Sequence, residues 1–344
     1  MKKKTIIILG IVGAVIVVLG AVGLNLYNTA YNPYEGSGDV RIYIPEGADL
    51  AAVDSELRAK LGDDFGGDVA RILGWRDAEA ARMTGSYVIK PGDRAWSVAN
   101  RLRTGTQAPV TLTFNNLRTL SQLADSVSRR FSWDAQAFMD ATRKVLPQMG
   151  YADSLQYPAA FLPDTYQFYW NTPAEQVVRK LAEHTASFWN GERQGRAKAL
   201  GLTPVQVTTL ASIVEEETNR ANERPLVARL YLNRLQQGMR LQADPTVKFA
   251  VGDFTIQRIG GAMLKTDSPY NTYAVTGTPP GPIRIAEGTT IDAVLNAPVH
   301  EYIYMCARPD GSGYHNFTAD FAKHQENARQ FQKYLDTRGV NLDK

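Results

Sequence analysis

With one cysteine, Cys306, and four histidines, the chain lacks the means to build a disulfide framework, a CxxC site or a repeated zinc module. His315 and His324 stand nine positions apart with no third ligand to match them, so no metal site is expected. There is no His-Glu-x-x-His, no Gly-x-Ser-x-Gly and no phosphate loop, which removes support for a metalloprotease, an α/β-hydrolase or an NTPase. An excess of one charge is missing too. Lys and Arg number 38 against 35 Asp and Glu, and a formal +3 spread over 344 residues gives no electrostatic case for nucleic acid. What is present is a folding composition, 44% apolar and 21% charged, at a length that suits two domains.

Charge is also absent from one long run. Thr5 to Tyr27 contains no charged residue, and at about 20 residues per bilayer crossing this is one span. Lys2, Lys3 and Lys4 precede it and no Lys or Arg follows until Arg41, so the positive-inside rule keeps residues 1–4 as a cytoplasmic tail. The expectation is a single-pass protein of the cytoplasmic (inner) membrane with 5–27 as the transmembrane helix and its bulk on the periplasmic or extracytoplasmic side. A cleaved signal peptide is the alternative, but the run exceeds a usual apolar core and shows no clean small-x-small site before Asn25 or Tyr27. Lacking a cysteine pair, such a protein suits a bacterial envelope.

Residues 28–38, with Asn32-Pro33-Tyr34-Glu35-Gly36-Ser37-Gly38, have linker composition, so folded structure is expected from Asp39. A weak internal similarity follows. Val40–Ile44 alternates like a strand, Pro45-Glu46-Gly47 turns, and Leu50, Val53 and Leu57 recur at helical spacing. Tyr87-Val88-Ile89, Lys90-Pro91-Gly92-Asp93 and then Trp96, Ala99 and Leu102 repeat that order, and Val110–Phe114 with Leu117, Leu120, Leu123 and Val127 forms a third copy. The Tyr-x-Ile-x-Pro-Gly-Asp pattern resembles the LysM module, which binds glycans containing N-acetylglucosamine; a small packing domain without a ligand is the alternative. The expected fold class is α+β: a single N-terminal transmembrane helix, a small LysM-like α+β domain over 39–108 and a larger mixed α/β catalytic domain over 109–344. The aromatic cluster Phe161–Tyr166 reads as core before it reads as a sugar platform.

Thr203-Pro204 opens a helix, with Thr203 as N-cap, Pro204 at the first helical position and Gln206 completing a capping box. Three acids in a row, Glu215, Glu216 and Glu217, then point about 100° apart and cannot share a role. Leu210, Ile213, Val214 and Ala221 define an apolar stripe on which Glu217 falls, whereas Glu215 and Glu216 project to either side. An acid on an apolar stripe holds its proton toward neutrality, as a general acid must. The bland reading pairs Glu217 with Arg224 or Arg229 as a structural ion pair.

Ala211–Thr218, Glu223-Arg224, Asn233-Arg234-Leu235, Gly238–Val247, Tyr270–Tyr273, Gly277–Ile283 and His315-Asn316-Phe317 together resemble the endolytic murein transglycosylase, or YceG-like, family. The resemblance runs the length of the chain. It implies cleavage between N-acetylmuramic acid and N-acetylglucosamine within peptidoglycan strands, by lytic transglycosylation that leaves 1,6-anhydro-N-acetylmuramic acid ends and limits nascent strand length. The family's catalytic glutamate is the second acid of a Glu-x-Glu pair, which maps onto Glu217; here the middle position, Glu216, is itself acidic. Partners implied are the glycan strands, the membrane through the single anchor, and peptidoglycan synthases, with no nucleic acid.

Around Glu217 the candidate substrate contacts are Asn233, Gln242, Asp244, Thr246, Tyr270, Asn271 and Tyr273. Asn233 follows Leu226 and Leu230 at helical spacing and serves either an acetamido group or a core hydrogen bond. Gln242, Asp244 and Thr246 are expected in a short extended or loop segment, as sugar contacts or as a turn before Pro245. Tyr270, Asn271 and Tyr273 suit a groove wall, stiffened by Pro279-Pro280-Gly281-Pro282 or merely connected through it. Two other functions stay open: a membrane-tethered peptidoglycan-binding scaffold without catalysis, and a muramidase that hydrolyses.

Overall fold

A computed structural model describes residues 2–256 and 259–338. Met1 and the lysine side chains of the expected tail lie outside the described residues, as do residues 339–344 of the expected catalytic domain. The chain divides into two compact units, one of residues 1–112, 130–132 and 167–172, the other of 113–129, 133–166 and 173–344.

The first unit begins with α1 (Lys2–Tyr31), whose stretch Ile6–Tyr31 is long and apolar enough to cross a membrane and exposes its Ile, Leu and Val side chains. Helix continues beyond the expected Tyr27 because nothing from Asn28 to Tyr31 breaks it; the first breaker is Pro33. The expected linker is not loose at its start. Arg71 donates to the Thr29 hydroxyl at 3.2 Å, Asn32 donates to Asp68 at 2.8 Å, and Tyr34 exchanges backbone hydrogen bonds with Gly92 and Asp93.

Beyond it, β1 (Val40–Ile44) leads through α2 (Leu50–Leu61) and α3 (Asp63–Trp75) to β2 (Gly85–Ile89), and then α4 (Ala95–Thr104) follows. The two strands pair antiparallel from Val40 opposite Ile89 to Ile44 opposite Gly85. Ile42, Ile44, Leu57, Val69, Ile72, Met83, Ile89, Val98 and Leu102 fill the core between this ribbon and the helices. The strand, turn and helix order of the first two copies is thus present, with α3 inserted between them. Trp96, placed by the repeat on the apolar side, is 46% exposed with the Arg76 guanidinium 4.8 Å above its ring; Ala95 and Val98 face inward instead. β3 (Val110–Thr113) carries the chain out of this unit.

The second unit holds α5 (Leu120–Ser128), α6 (Ala135–Val145), β4 (Thr165–Phe168, whose last residues belong to the first unit), α7 (Ala174–Phe188), α8 (Gly191–Ala199), α9 (Pro204–Glu217), α10 (Arg224–Gln236), α11 (Asp244–Val251), α12 (Gly288–Leu295), the hairpin of β5 (Tyr304–Ala307) and β6 (His315–Thr318), and α13 (Phe321–Thr337). Phe161, Leu162 and Tyr166 are core.

α9 has the expected cap: the Thr203 hydroxyl accepts from Gln206 N–H while the Gln206 side chain accepts from Thr203 N–H. It does not have the expected stripe. Every residue from Val207 to Glu215 is buried, because α10, α11, α12 and α8 all pack on it. Its polar residues tolerate this by bonding back along the helix: Thr208 to Pro204 O, Thr209 to Val205 O and Ser212 to Thr209 O.

Candidate active site

α9 stops at Glu217. Thr218 is extended (φ −142°, ψ 131°), and Ala221, expected on the stripe, lies exposed in the turn that follows. The helix end, not a helical face, therefore sets Glu217 apart. The three acids separate as follows.

Glu215 is 3% exposed, accepts the Glu287 backbone N–H at 2.7 Å and lies 3.3 Å from the Arg284 guanidinium. Glu216 takes Arg284 at 2.7 Å and Arg118 at 3.0 Å. These two acids do not project freely to either side; they are clamped by the segment after Gly281, whose Ile283 N–H also donates to Ser212. That strap approaches closely: a Cβ on Gly281 would lie 1.8 Å from the Leu155 carbonyl oxygen, so only glycine fits. Arg224, proposed as a partner for Glu217, pairs with Glu287 and Thr290 instead.

Glu217 forms no ion pair among the described residues. Its Oε1 accepts the Tyr231 hydroxyl at 2.6 Å, and the carboxyl sits in the wall of a groove of about 370 Å³. Burial of the carboxyl pushes its pKa up to about 7, and the negative charges of Asp244 and Glu216 add to this, while the Tyr231 hydrogen bond and Lys248 pull it down. Burial together with Glu217 likewise raises the Tyr231 phenol well above its ordinary value, so it stays a donor.

Opposite, the Tyr273 hydroxyl donates to Asp244 Oδ1 at 2.6 Å, and burial first, then Asp244, raises the Tyr273 pKa. Gln242 also lines the groove, from a left-handed backbone (φ 52°) fixed by its N–H on Thr272 O and by its side chain on the Arg234 guanidinium. Arg234 is itself held by the carbonyls of Arg240 and Ile303, both at 2.9 Å.

Of the expected contacts, Gln242, Asp244 and Tyr273 meet Glu217 in this groove. Four do not line it. The Asn233 amide donates to the carbonyls of His300 and Tyr302; the Thr246 hydroxyl bonds Ala243 O and Thr272; the Asn271 amide donates to Leu264 O and Thr266 O; and Tyr270 packs on Phe249 with its hydroxyl toward Leu155 O. Each satisfies interior backbone, which loops buried around α9 and α11 require. Asp244 and Thr246 are helical rather than extended, since Pro245 sits within the first turn of α11. Sequence reasoning missed Tyr231, Arg234, the Met305–Ala307 edge and the roles of His315 and His324 as groove lining. For Tyr231 a signal existed: at 14 positions past Glu217, it is an aromatic hydroxyl on the next helix.

The YceG-like family model matches residues 42–330, the greater part of the chain. The chain belongs to the YceG-like family. A relative named endolytic murein transglycosylase in Bacillus subtilis (strain 168) is 27% identical over 318 residues, spanning 87% of this chain and 86% of that protein. One of the same name in Streptococcus pneumoniae (strain D39) is 24% identical over 307 residues, 78% of this chain; the chain spans about half, 54%, of that relative's length. A crystal structure of a YceG-like protein from Listeria monocytogenes superposes with a TM-score of 0.55 at 21% identity, covering 85% of this chain and 99% of that one, and shares the fold. In this YceG-like chain the family match takes in the groove and all of the β1–β2 ribbon but Val40 and Arg41.

Proposed function

We propose that this chain is an endolytic lytic transglycosylase that cuts peptidoglycan strands between N-acetylmuramic acid and N-acetylglucosamine. The observation that carries the reading is the state of Glu217: an acid with no ion pair among the described residues, its pKa raised to about 7, opening on a groove of ligand size. Tyr231 occupies Oε1, which leaves Oε2 to carry the transferable proton. Glu217 gives that proton to the glycosidic oxygen as the bond to the anomeric carbon breaks. The resulting carboxylate then takes the proton of the muramoyl 6-hydroxyl as its oxygen bonds that carbon, closing the 1,6-anhydro ring and restoring the acid. An internal hydroxyl already in place replaces the water and second carboxylate of hydrolysis.

Gln242, Asp244 and Tyr273 are the substrate contacts of this reading, Asp244 also placing negative charge beside the developing oxocarbenium ion. The names of the relatives support the activity. The scaffold reading requires Glu217 in a structural ion pair, and that role falls to Glu215 and Glu216. Digestion of purified sacculi with wild type and Glu217→Gln, read as muropeptide masses, tests the proposal.

The same reading makes α1 a single-pass anchor with the folded units outside the cytoplasmic membrane, beside the synthases whose strands are cut. The β-α-α-β order from β1 to β2 supports a LysM-like module over about 39–108, with the catalytic domain following it.

A further inference from the structure

The groove contains a second polar fixture that the proton transfers of Glu217 do not use. β6 brings the His315 ring into the groove wall, and behind it lies Glu223, 3% exposed. The Glu223 carboxylate receives the Thr218 hydroxyl at 2.9 Å, the His315 backbone N–H at 2.7 Å and His315 Nδ1 at 2.8 Å. Thr218 is the residue directly after Glu217, so one buried carboxylate fixes both the end of α9 and the ring beside it. A carboxylate only accepts, so the proton of a neutral His315 sits on Nδ1 and Nε2 is left with its lone pair. Nε2 has no hydrogen-bond partner among the described residues.

We infer that His315 positions the glycan: Nε2 accepts a hydrogen bond from a sugar hydroxyl of the strand lying over Glu217, and Glu223 is a positioning residue that sets the ring's orientation and tautomer. This rests on the reading of the groove as a glycan site. A bare structural tie between β6 and α10 is the competing role, and two substitutions separate them. In His315→Gln the amide oxygen reaches the place of Nε2 and the bond to Glu223 is given up; in His315→Asn the amide reaches the place of Nδ1 and keeps that bond.

Both are made in the detergent-solubilised full chain carrying Glu217→Gln, and binding of purified uncrosslinked glycan strands is measured. His315→Gln is expected within about twofold of the parent and His315→Asn about fivefold to tenfold weaker, the worth of one hydrogen bond. The reverse order, or equal binding by both, overturns the inference. Nitrogen-15 NMR of His315 supplies a readout without binding energy: the Nδ1–H tautomer with an Nε2 signal that moves on adding strands is expected, and an Nε2–H tautomer contradicts it. Failure of the parent itself to bind strands would instead remove the glycan reading, and this inference with it.

Discussion

The Tyr231 hydroxyl donates its one proton to Glu217 Oε1 across 2.6 Å, linking the last residue of α9 to the middle of α10. That bond favours the charged carboxylate and so opposes the effect of burial on Glu217. Removing it in Tyr231→Phe raises the Glu217 pKa, moves the alkaline fall of kcat/KM to higher pH and costs about fivefold in rate, the worth of one hydrogen bond.

Asp244→Asn acts in the opposite direction. Its charge raises the Glu217 pKa, so the amide lets Glu217 ionise earlier and shifts the alkaline fall below about 7. Paired pH profiles of the two variants check both signs; shifts in the same direction would contradict the electrostatic account.

Glu217→Gln keeps the volume and loses the proton, so strand cleavage falls by about 10²–10⁴. Glu216→Gln keeps most of the activity, since Glu216 faces Arg284 and Arg118 rather than the groove. Stability moves the other way. The folded pKa of Glu217 lies above its unfolded value of 4.5, so the wild type loses stability as pH climbs from 4.5 and has lost all of that contribution above about 7. Thermal melting therefore favours Glu217→Gln at about pH 8 and shows no difference at about pH 4.

Arg284→Ala leaves Glu215 buried beside no cation and Glu216 with Arg118 alone. Loss of one member of a buried pair is worth about 3 kcal/mol, read as a shift in the denaturant midpoint of unfolding.

What could be read from the chain was uneven. The N-terminal apolar helix, the first two strand and helix copies and the cap of α9 depend on local spacing and local chemistry, and all three are present, the helix running four residues past the expected Tyr27. The special position of Glu217 was legible, but for the wrong physical reason: α9 is buried on all sides, and Glu217 differs because the helix ends there. Polar residues within the groove segments were ambiguous in sequence, since an interior Asn or Thr serves a ligand or a buried carbonyl equally well. Asn233, Thr246 and Asn271 serve the backbone. The Glu223–His315 contact joins residues 92 positions apart, and no local pattern announces such a pairing.

The central claim is that Glu217 drives an internal transglycosylation and not a hydrolysis. Sacculi digested with the full chain, with strands resolved by length and their ends measured by mass, test this most directly. The account predicts rapid shortening of strands, few free disaccharides, and new ends that are 1,6-anhydro-N-acetylmuramic acid, none of which accumulates with Glu217→Gln. New reducing ends one water heavier would contradict it.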